Sequence, residues 1–304
     1  MATQLIGVTD ARDVAVDAWG DPKGFPVFLL HGTPGSRSGP VPRTSVLYRL
    51  GIRLICYDRP GYGRSGRAKG RTVADAAWDV LAVADHLKLA EFGVVGRSGG
   101  GPHALACAAH IDHSRLRSTA VLVGLAPSDA EKLDWIEGMT RANAEEHERV
   151  SNGNGDAVVA SLTQRAQEIR EDPENLLQVL EEEMTETDRV VVTDFAFRRL
   201  LTSSYREAVR CGPFGWIDDV LALNRPWGFD LEKITIPVQL WHGQDDVFAP
   251  VHHAHWLAEH IPTAMVEVEP KAAHFTAMVV LPKILARLKV HSATMNNESA
   301  GPVS

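Results

Sequence analysis

Phe92-Gly93-Val94-Val95-Gly96-Arg97-Ser98-Gly99-Gly100-Gly101-Pro102-His103-Ala104-Leu105-Ala106 is the stretch on which the reading of this chain turns. An apolar, β-branched run enters Gly-x-Ser-x-Gly and leaves through alanine-rich helix formers, the pattern of a strand, a sharp turn and a helix. A serine at the apex of such a turn needs a strained backbone. Gly96 and Gly100 then fall where any Cβ would collide with the neighbouring strand or helix. The turn lifts the Ser98 hydroxyl clear of the sheet, at a helix N-terminus whose free N–H groups favour developing negative charge. Gly-x-Ser-x-Gly is common in ordinary loops, so its weight here comes from what surrounds it.

Working outward, apolar runs bounded by turn residues at 14–19, 26–30, 52–57, 92–95, 119–123, 236–241 and 265–268 predict strands. Helix-period segments at 73–87, 102–110, 253–260 and 276–288 alternate with many of them. Alternation of this kind predicts an α/β protein with a mostly parallel twisted sheet flanked by helices. It breaks between about 128 and 230, where amphipathic patterns at 130–149, 156–170, 174–184 and 188–209 replace strands. The domain reading is a core of 1–127 and 231–290, an inserted helical cap at 128–230 over the sheet's C-terminal edge, and a polar, disordered tail at 291–304.

Acyl transfer through a serine requires a base, a group that orients the base, and donors for the oxyanion. Asp245 and Asp246 follow a late strand, and His274 follows the last one, so the chain order is Ser, Asp, His. With these partners the chain resembles capped members of the α/β-hydrolase fold superfamily, in the branch of serine esterases and proline iminopeptidases. The resemblance spans nearly all of the sequence. It implies an acid three residues after a Gly and four before a Pro, which selects Asp246 between Gly243 and Pro250, with Asp245 as the near alternative. An acid after the middle strand, as in some members, would instead be Asp129. Leu29-Leu30-His31-Gly32-Thr33-Pro34-Gly35 resembles the oxyanion turn, so the N–H groups of Thr33 and Gly99 are the expected donors and His31 is expected to be structural.

The 304 residues carry 44% apolar and 23% charged residues with a formal charge of −8, a composition that speaks against nucleic acid and against a membrane span. Asp10, Arg12, Asp13 and Asp17 interrupt any signal-peptide core, so a cytoplasmic protein is expected. Cys56, Cys107 and Cys211 are too few and scattered for a disulfide framework. Gly61, Gly63 and Gly66 form a literal G-x-G-x-x-G, but Pro60 precedes it and no helix pattern follows, so it is read as a structural loop with Asp58 and Arg59 in local ion pairs. His252, His253 and His255 lack the spacing of paired zinc ligands, and His103 is expected to pack against the sheet.

The leading expectation is a serine hydrolase, needing no metal or cofactor, that cleaves a carboxylic ester, lactone or thioester of a small, mainly apolar molecule. An amidase or prolyl aminopeptidase, a carbon–carbon hydrolase or lyase with the same triad, and a non-catalytic ligand-binding homologue stay open. Arg97 departs from the residue types common before such a serine; it tunes the pocket electrostatically, binds a substrate carboxylate or packs against a buried acidic partner. Trp135, Tyr205, Phe214, Trp216 and Trp227 are candidates for lining the pocket or for the cap's own core. Substrate identity and oligomeric state are not legible.

Overall fold

The computed structural model describes residues 3–8 and 11–299, of which 291–299 by backbone alone. The chain begins β1 (Gln4–Gly7), β2 (Asp13–Gly20), β3 (Phe25–Leu30), α1 (Thr44–Leu50), β4 (Ile52–Tyr57), α2 (Ala76–His86), β5 (Phe92–Arg97), α3 (Gly100–His110) and β6 (Leu116–Leu122). Six helices follow without a strand: α4 (Arg141–Ser151), α5 (Gly155–Glu171), α6 (Glu174–Glu183), α7 (Glu186–Val192), α8 (Phe195–Ala208) and α9 (Phe214–Leu223). The sheet then resumes with β7 (Val238–Gly243), α10 (His252–His260), β8 (Ala264–Glu269) and α11 (Thr276–Ser299).

The eight strands form one sheet in the order β1-β2-β4-β3-β5-β6-β7-β8, antiparallel at β1/β2 and β2/β4 and parallel throughout the rest. β5, β6 and β7 are buried along their whole length, as expected of central parallel strands covered on both faces. One face packs Phe28, Val94 and Val121 with Val80 and Val83 of α2, Leu105 of α3 and Leu257 of α10. The other face packs Val95, Ala120 and Trp241 with Leu47 of α1 and Leu281, Leu285 and Leu288 of α11. A third apolar cluster joins Leu162, Leu177, Leu201 and Trp216 of the inserted helices to Tyr62, Phe248 and Phe275 of the loops below.

Local capping decides where the inserted helices start and stop. The pattern over 130–149 becomes helical only at Arg141, because Gly138 is left-handed (φ +74°) and the Thr140 side chain accepts the Asn143 N–H. The single helix expected over 188–209 is two, since Asp194 caps α8 by accepting the Phe197 N–H at 2.8 Å. Residues 291–299, expected within a disordered tail, continue the backbone of α11 as helix, and 300–304 lie outside the described residues. The four-residue β1 and the α1 and α9 helices went unpredicted; α9 is apolar nearly all round, so it shows no amphipathic period.

At the end of β5 the backbone turns abruptly into α3, with Ser98 in the left-handed region at φ +53°. A Cβ on Gly96 would lie 2.1 Å from the Gly100 carbonyl oxygen, and one on Gly100 would lie 2.3 Å from that of Leu30. Strand, helix and neighbouring strand therefore touch through bare backbone. Gly96→Ala is expected to destabilise the protein by about 3 kcal/mol, the upper range for overpacking, whereas Gly155→Ala, in open space at a helix start, is expected to be neutral or stabilising. Melting temperatures of the two variants check this; equal values would mean that the elbow is not tightly packed.

Candidate active site

The candidate side chains stand at the C-terminal ends of parallel strands: Thr33 after β3, Ser98 after β5, Asp246 after β7 and His274 after β8. His274 Nδ1 donates to Asp246 Oδ2 at 2.9 Å. Asp246 Oδ1 accepts the N–H groups of Phe248 and Ala249 at 2.8 and 2.9 Å, so the carboxylate is oriented from both sides. Burial pushes the Asp246 carboxyl up, but His274 and the His242 ring 3.5 Å away hold it below the usual carboxylate range. Asp245 is exposed and spends its N–H on the Ala272 carbonyl, and Asp129 is exposed too, which leaves Asp246 as the partner of the ring.

Ser98 and His274 line one cleft of about 100 Å³ together with Gly32, Thr33, Tyr205, Trp216 and Phe248. The cleft is well below the roughly 300–1,000 Å³ usual for larger ligands. Thr33 and Gly99 are immediate neighbours, for a Cβ on Gly99 would meet Thr33 Oγ1 at 2.3 Å. Among the described residues neither of their backbone N–H groups is donated to another protein group. Tautomers follow from the contacts: His274 Nδ1 carries the proton toward Asp246, which leaves Nε2 free to accept one.

Sequence reading missed Asp188 of α7. Its carboxylate, fully buried, accepts the backbone N–H groups of His274 at 3.1 Å and Phe275 at 2.7 Å, so an inserted helix holds the loop that carries the candidate base. Nothing in the local pattern marks Asp188, which reads as one acid among many in an amphipathic segment.

The remaining candidates divide. Tyr205 and Trp216 line the cleft, Trp227 is buried beside Phe229 in the sheet's core, Trp135 stacks on His147, and Phe214 lies under the Arg67 guanidinium. His31 accepts the Arg59 N–H and donates to the Gly32 carbonyl, an architectural role. His103 donates to the Gly99 carbonyl at 2.7 Å, and burial, ahead of the Arg59 charge, lowers its ring to about 3. His253 is buried between the Ala126 N–H and the Trp135 carbonyl. A larger hollow of about 330 Å³ lies elsewhere, beside Arg12, Arg71 and His103; Arg12 and Arg71 are paired there with Asp79 and Asp219, and none of Ser98, Asp246 or His274 reaches it.

The family described as alpha/beta hydrolase fold matches residues 26–151. A non-heme haloperoxidase from Rhodococcus erythropolis is 26% identical over 282 residues, covering 89% of this chain and 92% of that one. A proline iminopeptidase from Xanthomonas citri is 26% identical, with 88% of each chain covered. The solved structure of an esterase from Exiguobacterium antarcticum superposes with a TM-score of 0.67 at 23% identity, over 96% of this chain and all (100%) of that one. Two further curated relatives are matched over only 39% and 34% of their own lengths.

Beneath the cleft, Asp219 of α9 ties the inserted helices to the sheet. It accepts the hydroxyls of the half-buried Thr33 at 2.7 Å and of Tyr62 at 2.8 Å and pairs with the guanidinium groups of Arg59 and Arg71, the last three fully or nearly fully buried. Arg59 in turn donates to the carbonyls of His31 and Gly32. The ion pairs expected to be local in the 58–66 loop are thus long-range: Arg59 reaches Asp219, and Asp58 pairs with Arg37. Burial raises the Asp219 carboxyl, yet the two arginines override it and hold it well below its ordinary 3.8. A depressed carboxyl stabilises fully above its unfolded value and loses that contribution only as pH falls through the folded one. Asp219→Ala, which strands two buried cations, is expected to cost about 3–5 kcal/mol. In thermal melts the gap from the parent protein should be constant from neutrality to about pH 4 and narrow only below; a variant that melts like the parent at pH 7 refutes the hub.

Proposed function

We propose that this chain, which carries the alpha/beta hydrolase fold, is a serine hydrolase that cleaves a carboxylic ester, lactone or thioester of a small molecule through an acyl-enzyme at Ser98. The observation that carries the reading is the 2.9 Å hydrogen bond from His274 to Asp246 in a cleft that the left-handed Ser98 also lines. Ser98 Oγ attacks the acyl carbon as its proton passes to His274 Nε2, and Asp246 stabilises the imidazolium so formed. The negative charge on the tetrahedral oxygen is met by the Thr33 and Gly99 N–H groups, each worth about 3 kcal/mol in the transition state. His274 returns the proton to the leaving alkoxide, and a water activated by the same ring then releases the acid.

Asp188 supports this reading as a positioning residue, because its two accepted N–H bonds fix the backbone from which the His274 ring projects. The small cleft supports a short acyl group. An amide substrate is the second reading, favoured by the similarity to the proline iminopeptidase and by His31-Gly32-Thr33-Pro34-Gly35. Thr33 weighs against it as a departure from the glycine of that motif.

A fluorophosphonate probe is expected to label the native chain and not Ser98→Ala. Turnover of short p-nitrophenyl esters is expected to fall about 10⁴-fold in Asp246→Asn, through loss of the working tautomer. Cleavage of prolyl amides with all esters inert would select the second reading, and labelling that survives Ser98→Ala would overturn both.

A further inference from the structure

Five arginines are buried among the described residues: Arg37, Arg59, Arg71, Arg97 and Arg117. Four have carboxylate partners: Arg37 pairs with Asp17, Asp58 and Glu207, Arg59 and Arg71 with Asp219, and Arg117 with Glu91. Arg97 is 7% exposed and, among the described residues, has no ion pair and no side-chain hydrogen bond, its Nη1 being buried without a partner. A cation taken out of water and left unmatched is costly, and a fold retains one where a ligand completes it.

This guanidinium lines the cleft that Ser98 and His274 line. A methyl group placed on Gly32 would lie 3.3 Å from Arg97 Nη2 and 3.5 Å from Ser98 Cβ, so the cation and the serine flank the same bare glycine. The acids nearest to it are committed elsewhere. Asp246 is engaged by His274 and two N–H groups, and Asp188 by the N–H groups of His274 and Phe275. Of the other charged residues lining the cleft, Glu183 accepts the N–H groups of Arg141 and Ala142, and Glu146 is pushed up to about 7 by burial against the pull of Arg165 and Arg149. Arg165 adds a second cation to the lining. Arg97 is therefore a cation of the cleft lining that no carboxylate among the described residues pairs with.

Resting on the reading of Ser98 as nucleophile, we propose that Arg97 receives a carboxylate of the substrate, so that the compound cleaved is a small ester bearing a free carboxylate, such as a half-ester of a short dicarboxylic acid. The planar guanidinium suits two parallel N–H···O contacts to such a group, and its place beside Gly32 sets the carboxylate only a few bonds from the acyl carbon. This replaces the mainly apolar substrate expected from the sequence with an anionic one.

The test compares mono-p-nitrophenyl glutarate with p-nitrophenyl pentanoate, a neutral ester of the same acyl length, on the full chain. The parent is expected to favour the anionic ester in kcat/KM at least about tenfold, and Arg97→Gln is expected to erase that preference, with Arg97→Lys intermediate. Reading the ratio rather than the rate separates recognition from a structural role. In parallel, glutarate at matched ionic strength is expected to raise the melting temperature of Ser98→Ala and not that of Ser98→Ala/Arg97→Gln. If the Arg97 variants do not fold, the parent's ratio and the stabilisation of Ser98→Ala decide. A parent that prefers the neutral ester, or a ratio unmoved in a folded Arg97→Gln, overturns the carboxylate site and leaves the esterase reading intact. Stabilisation by glutarate with neither ester cleaved overturns the esterase reading and leaves the site standing.

Discussion

The contact on which the rest depends is the one between β5 and α3, where Gly96 meets the Gly100 carbonyl with no room for a side chain. That approach forces the turn between them to close within Arg97, Ser98 and Gly99, and it holds Ser98 at φ +53°, a conformation costing a non-glycine residue on the order of 1–3 kcal/mol. Because Gly100 is itself pressed against the Leu30 carbonyl, the same contact sets β3 beside the elbow and so brings Thr33 next to Gly99. The candidate nucleophile and candidate donors are thus placed by one close backbone approach rather than by side-chain packing.

The inserted helices act on this arrangement from two sides through acids. Asp219 reaches down from α9 to Thr33, Tyr62, Arg59 and Arg71, and Asp188 reaches from α7 to the backbone of His274 and Phe275. Their apolar cluster is continuous with Phe248 and Phe275, which flank the ring of His274. The insertion therefore contacts both the candidate oxyanion turn and the loop of the candidate base. Among the described residues Arg97 is the one buried arginine that no carboxylate pairs with.

Much of the architecture was legible because it rests on local chemistry. The strands from 14 to 268, the helices flanking them and the extent of the strand-free insertion follow from period and turn residues, and the glycines of the elbow marked its tight packing. The errors fall where a weak period met a strong local signal or where little period existed: Gly138 and Thr140 delay α4, Asp194 splits a predicted helix, and α9 is apolar but for Asp218 and Asp219. The choice of Asp246 over Asp245 came from spacing alone. In space one carboxylate faces the imidazole and the other faces outward, the alternation to be expected of adjacent residues in a tight turn.

By itself, then, the sequence determined most of the sheet and its covering helices and picked out a candidate serine, acid and histidine, since these depend on residue type and on spacing along the chain. The tertiary structure alone decided which carboxylates answer which cations. Asp188 and Asp219 are ordinary acids in sequence and structural clasps in space, while Arg97, equivocal in sequence, is left without an acid. The physical reason is that electrostatic pairing depends on distance through space and on burial, and residues as far apart as 59 and 219 acquire both only when the chain has folded.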